Sequence, residues 1–180
     1  MRTPPPPTIL TIEDPIELLL ACHDKVRRFT RLTVSLRDHL ARTGTGDAVD
    51  AQAREAAQAI MRYFNLAAPL HHDDEELDLF PALQAIGPAS LSADMAQLAA
   101  EHAELSALWQ SLLPWLEATA VGHHHVPPDT LETFVTSYGL HAQREEDLIY
   151  PSAIHLTTVQ RKQISAAMVA RRTLPSAANP

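Results

Sequence analysis

The chain has 180 residues, 46% of them apolar, and a formal net charge of −8, which suits one domain with a real core and leaves no basic stripe for nucleic acid. Its single cysteine, Cys22, excludes an internal disulfide and fits a reducing compartment. The longest apolar stretch, Ile16 to Cys22, is short and broken by Glu17, so neither a membrane span nor a signal peptide is expected and a cytoplasmic location is. Glycine is scarce and aromatic residues make up 5%, while Ala and Leu abound. That balance favours helices.

Residues 1–13 are rich in proline and read as an extended arm. A first helix begins at Asp14-Pro15, where Asp can cap and the missing N–H of Pro costs nothing. Ile16, Leu19, His23, Val26, Thr30 and Thr33 share one face of it, and it ends near Gly44. A second helix opens at Gly46-Asp47 and runs to about Phe80, with Ile60, Phe64, Ala67, His71, Glu75 and Leu79 at three- and four-residue spacings. Pro69 interrupts it and predicts a local kink just before His71.

Gly87-Pro88 marks the next connection, and a third helix starts at Ser92 or Asp94. Its seam is Met95, Leu98, His102, Leu105, Trp109, Leu112 and Leu116, with a bend expected at Pro114 and a break by Gly122. The loop His123-His124-His125-Val126-Pro127-Pro128 leads to Asp129, whose spacing to Glu132 resembles a capping box. Leu131, Phe134, Tyr138, His141, Glu145 and Leu148 form the seam of a fourth helix, which ends before Pro151. A fifth helix starts at Thr157 or Thr158, with Gln160 placed to cap back and Arg171-Arg172 at the negative end of its dipole. The predicted fold is all-α: an up-and-down antiparallel four-helix bundle over residues 14–151, between the 1–13 arm and a C-terminal helix and tail at 152–180.

One feature repeats. His71 to Pro81 (HHDDEELDLFP) and His141 to Pro151 (HAQREEDLIYP) each place a Glu four residues after a His and close on an aromatic residue and Pro. Four residues are about one helical turn, so each copy presents a nitrogen and a carboxylate on one face. A hard or borderline metal ion wants that combination. His23 and His102 add one seam histidine on each remaining helix, and the candidate metal ligands are His23, His71, Glu75, His102, His141 and Glu145. Burying two carboxylates without a partner is costly, and a pair of cations would hold them ionised as bridging ligands.

His72 with Glu76 has the same spacing as His71 with Glu75. At the aligned positions the second copy has Ala142 and Glu146, so only the His71 register is histidine in both copies. His72 is then expected about 100° away, on the surface or behind the ligands. Glu76 and Glu146 are expected on solvated faces, with a terminal ligand role left open for them and for Tyr138. His39 and His155 are read as surface groups, the His123 to His125 run as a collector of stray metal, and Cys22 as a small buried hydrophobe.

These residues resemble the hemerythrin-like family with its His-His-Glu cation-binding motif, over about residues 15–151. The resemblance implies a non-haem di-iron centre in the bundle core. Glu75 and Glu145 would bridge two iron ions, with His23, His71, His102 and His141 as terminal ligands. It also implies that the protein senses or handles dioxygen, nitric oxide or iron. The oxygen carriers of the family have a second histidine one turn after the third-helix histidine, where this chain has Ser106. Their fourth-helix carboxylate lies five places after its histidine, where this chain has Glu146. One ligand fewer would leave an open coordination position, which favours a centre that reacts or senses over one that carries oxygen. A di-iron enzyme acting on nitric oxide or peroxide, and a metal-free helical adaptor, are the alternative readings.

Overall fold

A computed structural model describes residues 14–43 and 48–173. The proline arm, the expected break at Gly44, the expected start at Gly46-Asp47 and the tail after Thr173 lie outside the described residues. Five helical rods account for nearly all of the described chain. Helix α1 spans Pro15–Thr43. Helix α2, residues 51–84, is built from the α-helical segments Ala51–Arg62, Ala68–Asp74 and Phe80–Gln84 joined by wide π turns at Tyr63–Ala67 and Glu75–Leu79. Helix α3 spans Ala89–Ala120. Helix α4, residues 131–149, runs from Leu131–Arg144 into a third π turn at Glu145–Ile149 and a 3₁₀ turn at Tyr150–His155. Helix α5 spans Thr158–Thr173.

Helices α1 to α4 pack as a closed ring in which each touches the next and α4 returns to α1. With short links between successive rods, this is the expected up-and-down bundle. Helix α5 lies outside the ring against α1 and the middle of α2.

The π turns account for two differences from the sequence expectation. Each is followed, two residues after its end, by proline: Pro69, Pro81 and Pro151. A proline has no N–H to give and its ring crowds the carbonyl four residues back. In all three places the residue before the proline donates instead to the carbonyl five back: Ala68 to Tyr63, Phe80 to Glu75 and Tyr150 to Glu145. The widened turn absorbs the proline, so α2 passes Phe80 and continues to Gln84. Pro114 sits in regular helix within α3, so proline alone does not make the turn.

Capping is mixed. Asp50 accepts from the Ala53 N–H at 2.8 Å at the start of α2. Thr157 and Gln160 cap each other at the start of α5, as expected. The expected box at Asp129 and Glu132 does not form: no side chain caps the start of α4, and Glu132 pairs with Arg37 of α1. Helix α3 begins at Ala89, earlier than expected, after Pro88 in extended conformation.

The buried apolar side chains form two clusters. One joins Val26, Leu36, Ile60, Phe64, Leu105, Trp109, Leu112 and Phe134, and the other joins Leu19, Leu79, Leu83, Leu98, Ile149, Ile164 and Met168. Between them lies a buried polar layer containing His23, His71, Asp74, Glu75, His102, His141 and Glu145. Each of the four ring helices contributes to it. Cys22 is buried, as expected, and its carbonyl accepts from the Tyr63 hydroxyl.

Candidate metal centre

The layer brings all six expected residues together. His23, His71, Glu75 and Glu145 offer ligand atoms that lie within 4.8 Å of one another, and His72, His102 and His141 do the same in a second group. Glu145 lies between the groups: its Oε2 is 3.1 Å from His23 Nε2, and its Oε1 is 3.0 Å from His141 Nε2 and 3.4 Å from His102 Nε2. Glu75 also reaches both sides, with Oε2 3.7 Å from His71 Nε2 and 3.5 Å from His102 Nε2.

His72 is a correction. It does not point away from the site; its ring stacks on His102 at 3.9 Å and 7°. The physical reason is that a bundle helix has two neighbours. His71 and His72 straddle the inward direction of α2, so His71 meets His23 of α1 edge-on at 4.8 Å while His72 meets His102 of α3. The same cleft that exposes His72 is bordered by Ser106. A histidine from α2 thus lies beside the Ser106 position and joins His102 and His141 in a group whose ring nitrogens could hold an ion.

Glu76 and Glu146 do not lie free on solvated faces. Glu146 Oε1 is 2.8 Å from His23 Nδ1, Glu76 Oε1 is 2.6 Å from His102 Nδ1, and Glu101 Oε2 is 3.1 Å from His141 Nδ1. Three histidines therefore have one ring nitrogen held by a carboxylate, which turns the other nitrogen inward and makes it a better donor. Arg27 holds Glu146 in turn, and Arg144 holds Glu101. The register of the copies explains this, because the second Glu of each sits about 100° beyond the first and faces the adjacent helix.

Sequence reasoning passed over Tyr150. Its hydroxyl donates to Glu75 Oε1 at 2.6 Å and lies 3.1 Å from His23 Nε2, while its ring stacks on His23 at 5.3 Å. The aromatic-Pro ending of the repeat was its one visible signal. Tyr138 packs against Phe64 and Phe134, with His72 further off at 6.4 Å, so core packing describes it. His39 is half-exposed on Asp50 and His155 is exposed. His124 Nε2 lies 3.1 Å from the Leu40 carbonyl, and no cation-holding group among the described residues includes the His123 to His125 run.

Burial and neighbours divide the two central carboxyls. Burial and the Glu145 charge push Glu75 well above the usual carboxylate range. Glu145 is held well below it: burial opposes, but His102, His141 and His23 converge on it. Burial lowers His71 to about 3, so it is neutral at physiological pH. His141 is raised, since its contacts with Glu145 and Glu101 outweigh burial. Five atoms facing the layer's centre still have no hydrogen-bond partner: Glu75 Oε2, His102 Nε2, His141 Nε2 and both oxygens of Glu145; His71 Nδ1 is also buried without one. Buried polar atoms are rarely left so, and here lone-pair donors of the N and O type converge on one small volume.

A model of the hemerythrin HHE cation-binding domain matches residues 14–153. The chain belongs to the hemerythrin HHE family. The hemerythrin domain so defined contains every residue of the site and stops short of α5. An uncharacterized protein of Haemophilus influenzae (strain ATCC 51907 / DSM 11121 / KW20 / Rd) is 35% identical over 168 residues, covering 93% of this chain and 95% of that protein. A hemerythrin-type domain of this kind binds metal ions, and the His and Glu cluster described above is one that could hold them. No helix among the described residues is long and apolar enough to cross a membrane.

Proposed function

We propose that this protein holds two iron ions in the polar layer and uses them to sense or handle dioxygen, nitric oxide or iron. The observation that carries the reading is Glu145. Both of its oxygens are buried without a hydrogen-bond partner, and each faces a different histidine group. A carboxylate so placed would be suited to span two cations, and Glu75 would approach both groups from the opposite helix through Oε2, near His71 and His102, while its Oε1 accepts from Tyr150.

His23 and His71 would serve one ion, and His72, His102 and His141 the other, with Glu75 and Glu145 between them. Glu146, Glu76 and Glu101 orient three of these rings and favour the tautomer that presents Nε2 inward. The two apolar clusters exclude water from either side of the layer, which strengthens every charge interaction inside it. When bound, a pair of irons supplies one-electron redox chemistry and affinity for small diatomic ligands. The chain's own part is to hold seven donors in place and to release the Glu75 proton as the ions enter.

The test is metal analysis after anaerobic loading with ferrous iron, followed by an absorption spectrum on oxidation. The expected result is about two irons per chain, from two donor groups sharing two carboxylates, with an oxo-bridged charge-transfer band. A chain that takes up no stoichiometric iron, and whose melting temperature iron does not move, defeats the reading.

A further inference from the structure

Resting on that di-iron reading, we propose that His72 is a displaceable ligand, and that the cleft above it admits a small exogenous ligand, a diatomic gas or a small anion, to the metal centre. His72 differs from its neighbours in three ways. It is half-buried, whereas His23, His71, Glu75, His102, His141 and Glu145 are each at most 5% exposed. The rings of His23, His102 and His141 are each anchored through Nδ1 by a carboxylate, whereas His72 makes no hydrogen bond among the described residues. His71 also has a free Nδ1, but it is enclosed and packed edge-on against His23. His72 is held by its stack on His102.

A cleft of 150 Å³ opens on this ring between Phe64, Pro69, Ser106, Trp109 and Tyr138. Ser106 is exposed and small, so the space beside it can receive the imidazole when it swings outward. The walls alternate the rings of Phe64, Trp109 and Tyr138 with the polar side chains of Asn65, Ser106 and Gln110, so that polar surface predominates and a small polar or anionic molecule can be accommodated. At the rim Trp109 Nε1 donates to Asn65 Oδ1 at 2.8 Å, tying α3 to the first π turn of α2. A second cleft, beside His141, is lined by the paired Arg144 and Glu101. The route past His72 therefore ends on the one donor that is least restrained.

Azide serves as the probe, because its arrival on oxidised iron is followed by absorption in a stopped-flow instrument. The wild-type chain is loaded first, and failure to take up iron there defeats the di-iron reading before any variant is made. Given loaded protein, and compared with the wild type at equal iron content, His72→Ala is expected to bind azide at least about tenfold faster, because the swung-out state no longer has to be waited for. Ser106→Trp fills the cleft and is expected to slow azide by a similar factor at unchanged iron content. Ser106→Leu replaces it should the tryptophan variant fail to fold. Two results overturn the proposal: azide binding no faster in His72→Ala at equal iron content, or azide binding not slowed in the Ser106 variant.

Discussion

Tyr150 donates its hydroxyl to Glu75 Oε1 at 2.6 Å, so the aromatic residue that closes one copy of the repeat steadies the carboxylate of the other. The two copies are thereby tied across the bundle, and the Tyr150 ring lies stacked on His23. Tyr150→Phe keeps the stack and removes the hydrogen bond. Glu75 is pushed towards its neutral form without metal, so the loss there is that of an ordinary hydrogen bond, about 1 kcal/mol. In a chain of this size that lowers the melting temperature by roughly 2–4 °C. With metal bound the carboxylate is charged and the bond is stronger, so the iron-induced rise in melting temperature should shrink. Melts with and without iron decide it, and an undiminished rise would show that Tyr150 only packs.

The carboxylates behind the histidines make a separate prediction. Glu146→Gln and Glu76→Gln leave a polar group beside Nδ1 but weaken its hold on the ring. Outer partners of this kind are worth about 10–100-fold in metal affinity, and the same range is expected here. Glu76 is 43% exposed and Glu146 20%, so neither change should cost much folding stability. Competition with a chromophoric chelator measures the affinity. An unaltered value in both variants would make these contacts incidental surface pairs.

The repeat made most of this legible in advance. His71 with Glu75 and His141 with Glu145 were visible as His and Glu one turn apart, and the seams of α1 and α3 singled out His23 and His102. What stayed hidden had two physical causes. A helical wheel assigns one inward direction, whereas α2 faces α1 and α3 at once, so His72 was turned outward on paper and inward in the fold. Pro69, Pro81 and Pro151 were read as a kink and two helix ends, because a proline's missing donor looks the same in sequence whether the helix stops or widens. Three π turns, two of them starting at the paired glutamates, were therefore missed. Such turns often sit at functional sites.

Metal uptake should release protons and strengthen as pH rises. Glu75 and His141 are both raised, so the metal-free chain retains protons there that an incoming cation must displace. Glu145 and His71 are both lowered and are already free to donate. The metal-free fold has its own dependence. A carboxyl whose folded pKa is raised binds its proton more tightly folded than unfolded, so its contribution is present below the unfolded value of about 4.3 and is lost as pH rises through the folded one. The stability gap between loaded and metal-free protein should therefore widen with pH. Calorimetric titration in two buffers of different ionisation enthalpy counts the protons, and a buffer-independent heat would contradict the assignment.

Helix α5 lies beyond the matched family region yet reaches the centre's supports. Arg171 and Arg172 both pair with Asp74, which is fully buried and immediately precedes Glu75, and Arg171 also holds Asp78 at 2.6 Å. The sequence placed this arginine pair only at the negative end of a helix dipole. Burial pushes the Asp74 carboxyl up against the lowering effect of the two guanidiniums. Removing both arginines leaves that carboxyl buried with its charge unmatched, a loss of about 3 kcal/mol by analogy with other broken buried pairs. Asp74→Asn should cost less, because the arginines are 18% and 27% exposed and can turn to water. Thermal melts of Arg171→Ala/Arg172→Ala and of Asp74→Asn test the order, and equal losses would contradict the cost assigned to an unmatched buried carboxylate, leaving Arg161 on Asp14 and the burial of Ile164 and Met168 as the anchors of α5.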